Sequence, residues 1–412
     1  MATVWRPADA GQVRDAVSEA LQSHTTLELL GMGTRRGFGA PVRAQATLDL
    51  SALGSIVDYQ PEELVITLGP ATTMSELSAL LATRRQMLAF EPPDFGPLWG
   101  LAPGLGTIGG CLMTGRGGSR RVSAGAPRDH CLGIHGVNGF GEAFAAGGRV
   151  VKNVTGFDLS KLVAGSFGTL CALTQLTLKV MPAPEECATL VLAGLSDAAA
   201  AHVMSEAMGS TAQVSSAAHL PGDVACDSAL PAMAGACVAA TLLRLEGAMP
   251  SVAARAEHLR RRFRDIAPVT ELGREESTAL WSEVSNATFF VAGPGDSCAN
   301  VVWKLSVPPS AGAALATALS GELRGRHYLD WAGGGIWLEL PAADDAHAGV
   351  VRARLDAGAG GHATLLRAPD AVRRSVAPLQ PLSGDELRIT RAVKAQFDPQ
   401  GLFNPGRLFA ET

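Results

Sequence analysis

The chain has 412 residues, 47% of them hydrophobic and 18% charged. That is too long for one simple core, suggests two domains, and excludes a disordered chain. A net charge of -5 excludes a basic footprint for nucleic acid, and no apolar run reaches the roughly 18 residues of a membrane helix. Met1 to Arg6 lacks the charged-then-apolar order of a secretory signal, so the sequence reads as a soluble intracellular protein. Its seven cysteines are scattered without a C-x-x-C pair. This argues against a disulfide scaffold, a zinc knuckle or an iron-sulfur cluster held by this chain, and predicts buried reduced thiols.

In chain order, Asp9 with Gln12 predicts a helix start, followed by Val13, Ala16, Val17, Ala20 and Leu21 at helical spacing. Leu27 to Leu30 reads as a buried strand entering the glycine loop that starts at Gly31-Met32-Gly33-Thr34, whose successive N–H groups can form an anion nest. A lone G-x-G-T is weak, and an ordinary turn competes with the anion reading. Thr47 to Leu50 and Leu64 to Leu68 predict strands, and Thr73 with Glu76 makes a capping box for a packing helix. Leu170 to Val180 predicts a strand that closes the first domain before Pro182 and Pro184.

Between Ala188 and Arg367 a unit of strand, proline and alanine-rich helix recurs, at Cys237 to Leu245, Val301 to Val307 and Ile336 to Leu340. It predicts a sheet with helices on one face. Arg260 to Arg264 reads as a solvated helix face. Leu387 to Phe397 predicts a helix ended by Asp398-Pro399, before the compact turn Gly401 to Leu408.

Of the 47 glycines, 18 fall between Gly100 and Gly168, where even spacing would put about eight, and such permissive backbone suits close approach to a ligand. This stretch holds G-T-I-G-G at Gly106 to Gly110, Arg128-Asp129, the run Gly147 to Leu159 containing Lys152-Asn153, and G-S-F-G-T-L at Gly165 to Leu170. Arg128 and Asp129 suit an ion pair that shapes the loop as well as they suit a cofactor contact.

In this order, with Gly31 to Thr34 and Phe397 to Arg407, these motifs resemble the FAD-binding fold of the vanillyl-alcohol oxidase superfamily, the PCMH type. The resemblance covers nearly the whole chain and is greatest to the FAD-binding subunit of bacterial glycolate oxidase, the GlcE type. It implies an α+β fold. A PCMH-type FAD-binding domain would span 1–184, and an α+β cap with a largely antiparallel sheet 185–385. The segment 386–412 would return to the FAD domain. The implied cofactor residues are Gly31, Met32, Gly33 and Thr34 with Gly106, Thr107, Gly109 and Gly110 at the pyrophosphate. Thr114 to Gly118 and Gly165 to Thr169 would line the rest, chiefly through Thr114, Gly115, Gly118, Gly165, Gly168 and Thr169, with Asn404 near the isoalloxazine. A Rossmann fingerprint fits less well, because Arg36 stands where its third glycine belongs. Arg35 stands near where some members place a flavin-bonded histidine, which implies noncovalent FAD.

Phe167 stands where larger catalytic relatives usually carry glutamate. Hydroxy-acid dehydrogenases of the superfamily also carry a metal segment such as H-x-G-D-G-N, whereas His327, His347 and His362 are isolated here. No metal is expected, and each histidine is expected to be exposed or bonded once. Arg367, Lys304 and His327 are candidates for substrate chemistry, but the sequence places no catalytic residue. The resemblance implies an FAD-linked subunit that supports oxidation of glycolate or a similar 2-hydroxy acid. A second flavin subunit and an iron-sulfur subunit would be partners, in the cytoplasm or peripheral to the inner membrane through the complex. A scaffold with a lost or inert flavin and a stand-alone FAD-linked dehydrogenase stand as alternatives.

Overall fold

The computed structural model describes residues 3–149, 156–235, 237–291 and 300–409. Lys152, Asn153 and Cys298 lie outside the described residues. The Asp9 carboxylate accepts from the Gln12 N–H and starts the helix Ala10–Gln22, whose Val13, Val17 and Ala20 are buried. That helix covers a three-stranded parallel sheet ordered Thr3–Trp5, Ala46–Asp49, Leu27–Leu30. A five-stranded antiparallel sheet follows, ordered Ile56–Gln60, Val65–Leu68, Cys171–Lys179, Cys131–Asn138, Ala143–Gly147. The helices Met74–Ala82, behind its Thr73–Glu76 capping box, and Ile108–Thr114 bury their apolar sides on this second sheet. The strand Ile56–Gln60 escapes the sequence pattern because it is an edge strand with Ile56 and Val57 exposed.

The following sheet has eight strands, every neighbouring pair antiparallel. Its order is Val269–Leu272, Glu186–Ala193, Ala240–Gly247, Ser216–Leu220, Arg326–Asp330, Gly335–Pro341, Asn300–Ser306, His362–Arg367. The expectation of helices on one face needs correction. Leu190, Leu243, Trp303 and Leu338 face one core with the helices Asp197–Met208, Met249–Phe263 and Pro309–Leu323. Their neighbours Val191, Leu242, Val302 and Trp337 face a second core with the helix Arg274–Asn286. Successive side chains point to opposite faces, so strands apolar at every position are covered on both. The second face also meets the N-terminal sheets through Phe38, Phe95 and Leu98.

Two smaller expectations change. Cys226 and Cys237 form a disulfide, so the thiols are not all reduced, while Cys111, Cys131, Cys171 and Cys187 are free and buried. Loop residues bring that pair together from 11 positions apart, a closure that no spacing motif announces. His327 is buried and bonded twice, to Ser320 Oγ and to Asp197 Oδ2, both at 2.9 Å. Asp197 also meets His219 at 3.3 Å, and these partners hold its carboxyl well below the usual range despite its burial.

The tail returns to the first sheet. The helix Gly384–Phe397, capped by Ser383 and Glu386, gives way to a turn in which the Leu27 N–H donates to Leu402 O at 2.8 Å. The Asn404 N–H donates back to Leu27 O, also at 2.8 Å.

Candidate functional site: a glycine-walled cleft

A cleft opens between the two N-terminal sheets. The strand Leu27–Leu30 delivers Gly31, Met32, Gly33 and Thr34 to its mouth, where all four line it. Among the described residues, their backbone N–H groups bond to no protein acceptor. Four adjacent amide donors left without a protein partner, on residues that line a cleft, are suited to binding an anion.

The opposite wall is the start of the helix Ile108–Thr114, which contributes Gly109, Gly110 and Thr114, with its cap Thr107. Here the amides are already used. The Ile108 N–H donates to Thr72 O, the Gly109 N–H to Pro70 O and the Gly110 N–H to Thr107 Oγ1. This wall therefore offers shape rather than amide donors. Gly109 is required by close packing, since a Cβ there would lie 2.6 Å from Pro70 O.

Gly168 and Asn404 close the third side. The remaining members of the sequence set stand outside the cleft. The Gly106 carbonyl accepts from the Met74 N–H, and Gly118 lies against Glu91 and Ser285. Gly115 caps the helix where a Cβ would come within 3.3 Å of Gly165 Cα, and Gly165 donates to Leu112 O. Thr169 bonds Ser166 O through its hydroxyl. These five residues frame the loops. Asp129 accepts from the Ala126 N–H at 2.8 Å, a loop-shaping role made through backbone rather than through Arg128.

Sequence reasoning missed Arg35, Arg36, Pro70 and Arg407 as lining residues, whereas Phe167, which also lines the cleft, lies within the stretch Gly165 to Thr169 expected there. Arg36 pairs with Glu28, the acidic residue of the lining, which leaves Arg35 and Arg407 as the excess charge. The Arg35 guanidinium donates to Thr114 Oγ1 at 3.0 Å and to Pro93 O at 2.8 Å, while its buried Nε has no partner. Burial lowers its pKa and brings that of Arg407 down to about 10. Buried cations that carry this desolvation cost favour an anionic ligand. The signal in the sequence was present as Arg35-Arg36 beside the glycine loop.

Behind Phe167, toward the eight-stranded sheet, lies an aromatic layer that does not itself line the cleft. Phe167, at φ 56°, stacks on Phe38 with centroids 5.2 Å apart, and Arg116 lies 5.0 Å over the Phe38 ring. Lys304 sits between the rings of Trp331 and Trp337, at 4.0 and 4.2 Å. Of the three substrate candidates, Arg367 is held by Glu339 at 3.0 Å and His327 belongs to the opposite core. Lys304 lies on the face turned to the N-terminal half, beside Trp337 of the second core, and Arg367 shares that face but is tied to Glu339 and to Phe290 O.

Residues 1–147 match the family described as "FAD binding domain". The glycolate oxidase subunit GlcE of Escherichia coli K12 is 32% identical over 400 residues, which cover 96% of each chain. The glycolate oxidase subunit GlcD of Bacillus subtilis is 30% identical over 162 residues, 39% of this chain and 33% of that protein. In structure, p-cresol methylhydroxylase with substrate bound superposes with a TM-score of 0.73 at 13% identity, covering 98% of this chain and 88% of that one. An unbonded amide row, excess buried cations and a long glycine-walled cleft fit the dianionic pyrophosphate and flat rings of FAD. The chain belongs to the family of the glycolate oxidase subunit GlcE, a group of FAD-dependent oxidoreductases with the PCMH-type fold.

Proposed function

We propose that the chain is the FAD-binding subunit of a glycolate oxidase complex. It supports oxidation of glycolate or a similar 2-hydroxy acid to the 2-oxo acid, beside a second flavin subunit and an iron-sulfur subunit. The observation that carries this reading is the end-to-end similarity to GlcE, joined to a cleft whose donors and charges suit the cofactor. No helix among the described residues is long and apolar enough to cross a membrane; the reading places the chain in the cytoplasm or peripheral to the inner membrane through the complex.

When bound, FAD supplies a two-electron acceptor that can return its electrons singly. Gly31 to Thr34 would direct their N–H groups at the pyrophosphate, with Arg35 and Arg407 balancing its charge. Gly110 would leave room for the chain of the cofactor, which would be held without a covalent bond, while Gly109 lets the start of the helix pack on Pro70. Gly168 and Asn404 would fix its inner end, and the aromatic layer from Phe167 to Trp337 would keep bulk water from it.

The test is dye reduction with glycolate or D-lactate, using the chain alone and the chain reconstituted with its two partner subunits. Turnover that requires all three subunits, with flavin present on this chain, supports the proposal. Turnover by this chain alone favours a stand-alone dehydrogenase. Full activity of a complex containing a flavin-free variant favours a scaffold.

A further inference from the structure

The loop Phe167–Gly168 forms a wall of the cleft without belonging to a strand or helix. Both residues have positive φ, 56° and 69°, so the backbone there has to be held by its surroundings. It is held from behind. Asn404 Nδ2 donates to Phe167 O at 2.8 Å, and the Lys394 ammonium donates to Thr169 O at 2.6 Å.

Lys394 projects from the helix Gly384–Phe397 into a nearly closed space, its side chain 12% exposed. Its other partners are Asp398 Oδ2 at 2.7 Å and Phe403 O at 3.3 Å. Asp398 is buried and accepts from the Leu402 and Phe403 N–H groups at 2.9 and 2.8 Å. One ammonium thus ties the terminal helix, the turn that presents Asn404, and the loop that presents Gly168. Hydrogen bonds to charged groups, made out of solvent, are the strong ones.

We propose that Lys394 is a positioning residue for the cofactor. It does not line the cleft; through Thr169, Asp398 and Phe403 it fixes Gly168 and Asn404 against the bound FAD. The proposal rests on the reading of the cleft as the FAD site. A purely structural role would let the terminal helix stabilise the fold without altering cofactor affinity.

The test compares apo wild type with Lys394→Met and with the double variant Lys394→Met, Asp398→Asn. The double variant is needed because the single one leaves the Asp398 carboxylate buried without a counter-charge. FAD dissociation constants, visible circular dichroism of the bound flavin and apo melting temperatures are measured on each. The expected result is FAD binding weakened about tenfold or more in a folded variant, with an altered visible dichroism band. Wild-type affinity and dichroism in a folded variant overturn the proposal, however much the apo melting temperature falls. Hydrogen exchange on the wild type gives a second reading, since FAD should slow exchange of the Phe403 and Asn404 amides behind the cleft. Absence of that protection also overturns the proposal, whereas a wild type that binds no FAD overturns the cleft reading beneath it.

Discussion

Asn404 accepts a hydrogen bond from the Leu29 N–H at 2.8 Å, joining residues 375 apart at the inner end of the cleft. Its amide nitrogen reaches Phe167 O on the other side, so one side chain pins the strand before the glycine loop and the loop Phe167–Gly168 together. Asn404→Asp keeps the acceptor for Leu29 and puts a carboxylate oxygen against the Phe167 carbonyl. The expected cost is about 1–3 kcal/mol of stability and at least tenfold in FAD affinity. Chemical unfolding and flavin titration of the variant check both.

Gly109 and Gly110 separate fold from ligand. A Cβ at Gly109 would meet Pro70 O at 2.6 Å and Pro70 Cα at 3.0 Å, backbone that has little room to move. Gly109→Ala is expected to lower stability by about 1–3 kcal/mol. At Gly110 the nearest atoms are Thr107 Oγ1 at 3.2 Å and Arg35 Cδ at 3.4 Å, with the cleft beyond. Gly110→Val should fold and lose FAD; full flavin occupancy in that variant would refute the placement of the cofactor.

Burial between two indoles, reinforced by Arg116 and Arg121, disfavours the charged form of Lys304 and lowers its pKa from 10.5; Asp330 opposes this only partly. The same burial raises Asp330 from 3.8. A lysine with a depressed folded pKa binds fewer protons than in the unfolded chain. Its penalty on folding is therefore full below the folded pKa and lifts as pH rises toward 10.5. Burial of Cys111 and Cys171, pushed up to about 11 and about 12 from 9.0, gives the opposite slope at higher pH. The clean window is about pH 7 to 9. Across it, the melting temperature of wild type minus that of Lys304→Met should grow by about 2 °C or more. A flat difference contradicts the assignment.

Much of this was legible where the physics is local. The Thr73–Glu76 capping box, the Asp9 cap and the strand Leu27–Leu30 with its glycine loop depend on residues within one turn or strand of each other. The eight-stranded antiparallel sheet was legible as alternating strands and helices, but its second covered face was not, because Val191 and Val302 read the same whichever core they enter. The cleft was legible as glycines and illegible as a lining. Gly115 and Gly165 carry the same letters as Gly110 and Gly168, yet pack on each other, a contact set by tertiary structure. Arg407 escaped because its role arises from how the tail folds back, bringing its guanidinium to Arg35 O.

The measurement that tests the central claim most directly is the visible spectrum of the purified chain before and after acid precipitation. Bands near about 370 and 450 nm, moving entirely into the acid supernatant at about one FAD per chain, are the predicted result. A colourless chain that takes up no added FAD, or a yellow precipitate with flavin still attached, would contradict it.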